Sequence, residues 1–257
     1  MKQPHILAIG SFAVHGTASL KTFISILGEK ILPVPSLLLN GLTNMSLVNK
    51  FEPPFDELLK STFELAEFRK LNLVLYIGYL GNANQVDVIL EMIQKHRSLI
   101  ETIIIDPVCG DHGRKYVPEA VIARWPELIV LADLVFPNIT ELKILTDNNP
   151  DAQIELDWLK LQFEIKYPKT KLIITSITTN EDNIGFEVTG DGGFTYMHAM
   201  LPKNYGGTGD AFLAMFILAH FYKNQPFDAA LKLAADQTFT IIENSIAKAS
   251  DDLILHL

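Results

Sequence analysis

Glu101-Thr102-Ile103-Ile104-Ile105-Asp106-Pro107-Val108-Cys109-Gly110-Asp111 is an apolar run that stops on an acid, a proline and a polar turn. A strand with one wetted face alternates apolar and polar residues. Thr102–Asp106 instead has successive isoleucines, the pattern of a strand covered on both faces. Working outward, further strand candidates are His5–Ile9, Ile31–Leu38, Leu73–Ile77, Leu134–Phe136 and Lys171–Thr175. Amphipathic segments lie between them: Ser19–Leu27, Pro54–Lys70, Gln85–His96, Glu119–Leu131 and Ala152–Tyr167. This alternation predicts right-handed crossovers and a doubly wound α/β fold, a mostly parallel central sheet with helices on both faces. Late in the chain, Gly185–Thr189 and Phe194–His198 alternate around Gly190-Asp191-Gly192-Gly193, which predicts a β-hairpin at the sheet edge. Helices over Asp210–Tyr222 and Phe227–Ala249 close the fold. There is no internal repeat or low-complexity linker, and Asp147-Asn148-Asn149-Pro150 reads as a turn between helices, so residues 1–257 are expected to form one domain.

The 257 residues are 48% apolar and 20% charged, which is globular composition, and the net charge is −9. That charge argues against a nucleic acid or an anionic membrane as partner, since both call for a basic face. It also means that any phosphate site must be built locally, from backbone dipoles and a metal ion. Cys109 is the only cysteine, so no intrachain disulfide and no multi-cysteine zinc site can form, which fits a reducing, cytoplasmic setting. The start, Met-Lys-Gln-Pro-His, runs directly into Ile6–Ile9 and lacks the pattern of a secretory signal. The apolar run Ala211–Ala219 is too short to cross a bilayer of about 30 Å and reads as a buried helix.

In an open α/β sheet, ligands bind at the carboxyl ends of the strands. Polar clusters fall there repeatedly: Gly10-Ser11, Gly78-Tyr79-Leu80-Gly81-Asn82, Asp106 through Asp111, Pro137-Asn138-Ile139-Thr140-Glu141, and Thr175-Ser176. The sharpest is Gly206-Gly207-Thr208-Gly209-Asp210, directly before the apolar helix. Glycines let successive N–H groups point at one spot, and the helix adds its positive end, so the turn can bind an anion without a lysine. Asp210 then stands where a carboxylate could take a proton from an attacking hydroxyl. The competing account is a plain helix cap made by Thr208 or Asp210. Asp106, Asp111, Asn138 and Glu141 offer hard oxygen ligands for Mg²⁺ on a polyphosphate, directly or through water. Here too a capping box from Asn138 and Glu141 is an alternative, and both can hold together. The Gly-x-x-x-x-Gly-Lys phosphate loop, the Gly-x-Gly-x-x-Gly fingerprint and the Gly-x-Ser-x-Gly elbow are all absent. Acids around Cys109 would raise its pKa and blunt it as a nucleophile.

Taken together these motifs resemble the ribokinase superfamily and, within it, the pyridoxal (pyridoxamine) kinases, collinearly over essentially the whole chain. Gly207-Thr208-Gly209-Asp210 looks like the family's anion hole and catalytic base. Asp106-Pro107-Val108-Cys109-Gly110-Asp111 and Pro137-Asn138-Ile139-Thr140-Glu141 are similar to its metal-side motifs. Gly78-Tyr79-Leu80-Gly81 resembles the version found in pyridoxal kinases. The resemblance implies a ribokinase-like fold and transfer of the γ-phosphoryl group of ATP to the hydroxymethyl group of pyridoxal, pyridoxine or pyridoxamine. It implies Ser11, Thr43 and Tyr79 as substrate contacts, and Asn138, Thr175, Ser176, Gly206 and Thr208 as ATP contacts. Asp106, Asp111 and Glu141 would serve Mg²⁺, and the family assembles as a homodimer. Phe12 stands where the family has a polar residue, Leu42 where it has a histidine, and the loop from Gly16 to Leu27 is short; these departures bear on the choice of vitamer. The alternatives are a hydroxymethylpyrimidine (phosphate) kinase of thiamine synthesis and, more remotely, a non-catalytic ligand sensor on a kinase scaffold.

Overall fold

The computed structural model describes residues 3–42, 45–179 and 182–255. In chain order the elements are β1 (His5–Ala13), α1 (Leu20–Leu27), β2 (Ile31–Leu39), β3 (Lys50–Phe51), α2 (Phe55–Phe68), β4 (Leu73–Ile77) and α3 (Asn84–Lys95). There follow β5 (Ile100–Ile105), β6 (Gly110–Asp111), β7 (Arg114–Lys115), α4 (Glu119–Ile122), α5 (Trp125–Ile129), β8 (Leu134–Val135), α6 (Ile139–Leu145) and α7 (Leu156–Lys166). The last are β9 (Lys171–Thr179), β10 (Asn183–Val188), β11 (Phe194–Ala199), α8 (Thr208–Ile217), extended by a π-helical turn Leu218–Tyr222, and α9 (Phe227–Ala247).

Nine strands form one sheet in the order β11-β10-β9-β8-β5-β4-β1-β2-β3. The six from β9 to β2 are parallel, and antiparallel strands flank them, the hairpin β10–β11 at one edge and β3 at the other. Side chains on a strand alternate between faces, and the two core clusters divide accordingly. Leu7, Ile9, Leu75, Ile77, Ile103 and Ile105 are buried on one face with residues of α2, α3, α5, α6 and α7. Ile6, Ala8, Val74, Tyr76 and Ile104 are buried on the other with residues of α1, α8 and α9. Both faces being covered is why the central strands carry no alternation. Each fully buried Ile or Leu contributes about 1.5–3 kcal/mol by leaving water.

Several boundaries differ from the sequence reading. β1 runs on past Ile9 to Ala13, so Ser11 lies within a strand instead of after one. The helix expected over Glu119–Leu131 is two short helices, broken at Ala123–Arg124 just before Pro126. The two-residue strands β3, β6 and β7 are too short to leave a periodic signal.

The late hairpin forms as expected, with register Gly185↔Met197 and Val188↔Phe194. Its strands are so close at Gly185 that a Cβ there would run into the Tyr196 carbonyl oxygen and lie 2.9 Å from the Met197 Cα. Backbone cannot give way as a side chain can. Gly185→Ala is therefore expected to lower stability by about 1–3 kcal/mol, as overpacking does, and the thermal midpoint by about 2–4 °C per kcal/mol. An unchanged melting curve would show that the hairpin accommodates a side chain at this position.

Candidate active site

α8 is apolar all round, with Ala211 through Ile217 buried, so it sits inside the molecule and its amino end opens at the carboxyl ends of the strands. Gly207 precedes it at φ 85°, the left-handed region that favours glycine. A side chain there would also strike the Thr17 carbonyl oxygen and the Ala18 Cα in the loop after β1. The first helical bond runs from Ala211 N–H to the Gly207 carbonyl (2.9 Å), so the N–H groups of Thr208, Gly209 and Asp210 have no acceptor in the helix. Among the described residues no side chain caps this end. The Thr208 hydroxyl donates to the Tyr205 carbonyl at 3.5 Å, and Asp210 Oδ2 accepts from Ser19 N–H at 2.8 Å, across the loop to α1. The capping account therefore fails at α8. The orphan donors point at the site, which is the requirement for an anion hole.

At α6 the outcome is the reverse. Asn138 Oδ1 accepts from Glu141 N–H (2.9 Å) and Glu141 Oε2 accepts from Asn138 N–H (3.0 Å), a complete capping box. Glu141 Oε1 takes a further bond from Cys109 N–H (3.1 Å), and Asn138 Nδ2 donates to the Gly110 carbonyl (2.9 Å). Glu141 thus ties the turn after β5 to the start of α6. Its carboxyl is pushed well up from the ordinary range, by burial and then by Asp106, against the pull of its backbone donors. The Cys109 thiol is buried and also pushed up, chiefly by burial, then by Glu141 and Asp106, and is inert as a nucleophile.

Asp106 leaves β5 on the same face as Tyr76 and α8. Burial, with the Asp210 charge second, pushes its pKa up to about 8, while a 3.5 Å bond from the Tyr76 hydroxyl opposes the shift. Asp210 is pushed up to about 6 by burial, against the Ser19 N–H. The Tyr76 phenol is held neutral by burial and by the same acids. Among the described residues no cation balances these carboxylates, which is the electrostatic setting a metal ion would relieve. Among the described residues, however, no three His, Cys, Asp or Glu side chains converge as a metal cage. Asp111 is exposed on β6, with Oδ1 accepting from His112 N–H (2.8 Å), apart from the buried Glu141. The donor set fits magnesium, which keeps much of its shell as water and phosphate oxygen and needs only one or two carboxylates.

Beside the α8 amino end lies a cavity of about 540 Å³. Asn138, Thr175, Ser176, Thr208 and Gly209 line it, with Asp111 and His112 at one side. So the structure gathers most of the expected nucleotide contacts around one space. Thr175 and Ser176 reach it through a bulge. Gly185 and Glu187 of β10 pair with Ile177 and Ile174 of β9, leaving one extra residue on β9, and Ser176 is at φ 55°. The far wall is apolar, including Ile184, Phe186, Met200, Phe239 and Ile242, with the His198 ring stacked on Phe239 at 4.8 Å. Sequence reasoning missed that wall, because its residues come from three elements with no shared motif. Among the described residues that line it, Lys203 is the one lysine or arginine, and its Nζ donates to the Ser250 carbonyl at 2.6 Å.

The expected substrate contacts lie elsewhere. Ser11 is half-buried in β1 and Tyr79 half-buried beside Ala13, Leu37, Leu39, Leu42 and Val48. Burial keeps the Tyr79 phenol neutral. Thr43 lies outside the described residues. Gly206 is exposed next to Gly207, with Leu42 Cδ1 3.7 Å from where its Cβ would be. Ser19, Ser36, Tyr76 and Gln85 were not foreseen as site residues. Only Asn82-x-x-Gln85 carried a sequence signal, the capping-box spacing.

Among curated proteins, a pyridoxal kinase of Dictyostelium discoideum is 27% identical over 277 residues, covering 95% of this chain and 86% of that one. With other curated relatives, including one of Arabidopsis thaliana that is 30% identical, the chain spans about half of their length. The solved pyridoxal kinase of Lactobacillus plantarum superposes with a TM-score of 0.84 at 21% identity, over 97% of this chain and 91% of that one. That of Leishmania donovani, in complex with ADP and pyridoxamine, gives 0.80 at 22% over 98% and 90%. At such identities the structural likeness speaks for the fold. The family model described as phosphomethylpyrimidine kinase matches residues 43–253, and the chain belongs to that family, within the ribokinase-like superfamily.

Proposed function

We propose that this protein is an ATP-dependent pyridoxal kinase, transferring the γ-phosphoryl group to the hydroxymethyl oxygen of a pyridoxal vitamer, with residues 1–257 as one catalytic unit. The observation that carries this is the end of α8, three orphan N–H donors beside a carboxylate raised to about 6 that is held from another loop. A base near the working pH is suited to taking the hydroxyl proton as the oxygen attacks phosphorus and ADP leaves. The N–H groups of Thr208, Gly209 and Asp210 receive the charge on the transferring phosphoryl group. Gly206 and Gly207 give the turn that aims them. Asn138, Thr175, Ser176 and Thr208 bind nucleotide in the cavity, and Ser11, Thr43 and Tyr79 bind the pyridine ring. Asp106, Asp111 and Glu141 are the carboxylates that would hold Mg²⁺ with the nucleotide, and when bound it supplies counter-charge to the phosphates. The Leishmania donovani and Lactobacillus plantarum proteins support the pyridoxal reading by their names.

A second reading, phosphorylation of hydroxymethylpyrimidine, is favoured by the description of the matched family itself. Incubating the purified protein with Mg-ATP and each of pyridoxal, pyridoxine, pyridoxamine and hydroxymethylpyrimidine, and following ADP release, separates the two. The pyridoxal vitamers are expected to give the higher kcat/KM; a clear preference for the pyrimidine would move the assignment to the second reading.

A homodimer is part of the proposal. Phe51 of β3 and Leu58, Leu65 and Phe68 of α2, the helix that follows it, are exposed apolar residues that a second copy would cover. Light scattering is expected to give twice the chain mass of 28.7 kDa, and Leu58→Lys with Leu65→Lys to reduce it to one; a monomeric native protein would refute this part. A cytoplasmic location is supported by the single, buried Cys109, and no helix among the described residues is long and apolar enough to cross a membrane.

The raised Asp210 pKa has opposite consequences for rate and stability. Below about pH 4 the acid is protonated both folded and unfolded, so its position costs nothing extra. Between about pH 4 and 6 the unfolded chain ionises first, and the folded state loses stability as pH rises, by at most about 3 kcal/mol. Asp210→Asn keeps the acceptor for Ser19 N–H without the charge. It is expected to melt higher than the native protein at pH 8, with the gap closing toward pH 4. Its turnover should fall by on the order of 10²–10⁴, and the native kcat/KM should decline below about pH 6. A variant that turns over normally would remove Asp210 from the role of base.

A further inference from the structure

The β1–β2 ladder pairs Gly10 with Pro35 and then Ser11 with Leu37, so Ser36 is an extra residue on β2, lying between the partners of Gly10 and Ser11. Such a bulge takes its backbone groups out of the ladder and re-aims its neighbours. Ser36 is completely buried, and both of its free groups are engaged by one partner region. Its hydroxyl donates to the Tyr79 carbonyl at 2.5 Å, and its carbonyl accepts from Gln85 Nε2 at 2.7 Å. Gln85, 4% exposed, also accepts from Gly81 N–H at 2.8 Å and Asn82 N–H at 3.5 Å through Oε1, while its own N–H reaches Asn82 Oδ1 at 3.3 Å.

The Asn82–Gln85 exchange has the form of a capping box at the entry to α3 and needs no other explanation. The bond from Nε2 to another strand is surplus to capping. It joins the bulge next to Leu37, the partner of Ser11, to the turn that carries Tyr79. We propose that Ser36 and Gln85 are positioning residues for the alcohol substrate, their paired hydrogen bonds fixing the Gly78–Gly81 turn against the β2 bulge and so setting the distance between Ser11 and Tyr79. The inference rests on the reading of Ser11 and Tyr79 as ring contacts. It assigns no chemistry to Ser36 or Gln85, which act through those neighbours.

Three variants separate this from general stability. Gln85→Glu retains the capping-box acceptor, yet an ionised carboxylate has no proton for the Ser36 carbonyl. Gln85→Met removes the bond without adding charge, and Ser36→Ala removes the donor to the Tyr79 carbonyl. Leaving a buried polar group unpaired is expected to raise the KM for the alcohol about 10-fold in each, with the KM for ATP within about two-fold of native. In Gln85→Glu the defect should grow as pH rises and the new carboxyl ionises. The Ser36→Ala/Gln85→Met pair should cost less than the product of the single effects, since both act on one network. Hydrogen exchange of residues 78–82 should quicken in Gln85→Met while that of 208–217 is unchanged, a readout that needs no substrate. Equal rises in both KM values, or an unaltered alcohol KM with unaltered exchange at 78–82, would overturn the inference while leaving the kinase reading intact. A native protein inactive on every pyridoxal vitamer and on hydroxymethylpyrimidine would instead overturn the function, and the exchange measurement would still decide the tie.

Discussion

Three N–H groups at the start of α8 have no acceptor in their own helix, and the side chains best placed to cap them are turned elsewhere. Thr208 donates backward to Tyr205, and Asp210 reaches out to Ser19 N–H. Had either capped the helix, its oxygen would occupy the space where an anion can sit. The cost of leaving donors open is met by packing. α8 is apolar on every side, is buried between the sheet and α9, and lies against α1. Gly207 then lets the preceding turn lie against the Thr17–Ala18 backbone. The loop from β1 and the start of α8 are thus fixed to one another, and the carboxylate that joins them is the proposed base.

The same region concentrates acids in a protein already at −9. Asp106, Asp210 and Glu141 each have burial as the largest cause of a raised pKa, and the Asp210 charge adds to the shift at Asp106. In a fold selected for stability alone, such a cluster would be neutral amides or apolar residues. Glu141 is compensated by the N–H groups it accepts, and Asp106 has only a long bond from Tyr76. What remains uncompensated lies next to the uncapped helix end. A helix end that attracts anions and acids that attract cations, side by side, suit a ligand carrying both, as a metal-bound triphosphate does.

Much of this was legible because it depended on local sequence. Continuous apolar strands gave the parallel sheet, the rule that ligands collect at carboxyl ends then picked out Ser11, Tyr79, Asp106, Asn138 and Thr175, and the glycine-rich turn before an apolar helix picked out Asp210. The two capping alternatives were weighed differently at that level, the glycines favouring an anion hole before α8 while a cap and a metal role could coexist at Asn138 and Glu141. Asn138-x-x-Glu141 and Gly207-Thr208-Gly209-Asp210 both offer a helix its cap, and the difference lies in Ser19, a residue far away in the chain. Tyr76 was hidden for another reason. A tyrosine inside the run Leu73–Ile77 reads as core, and it is core, stacked on Phe23 at 4.3 Å, while its hydroxyl meets Asp106. The His198–Phe239 wall of the cavity was out of reach because β11 and α9 meet only in three dimensions.

Two bulges bring successive residues toward the site. One lies on β2 at Ser36, next to the partner of Ser11, and the other on β9 at Thr175–Ser176. A regular strand sends alternate side chains to opposite faces, so consecutive residues cannot serve one site. An extra residue breaks that rule in the carboxyl half of the strand, and pairing resumes beyond it. Ser176 bears the strain of a positive φ, whereas the β2 bulge is held by hydrogen bonds from Gln85 and to Tyr79. The six-stranded parallel centre can therefore remain a dry, regular core. The polar geometry is confined to strand ends, where one residue's displacement re-aims a side chain without disturbing the packing behind it.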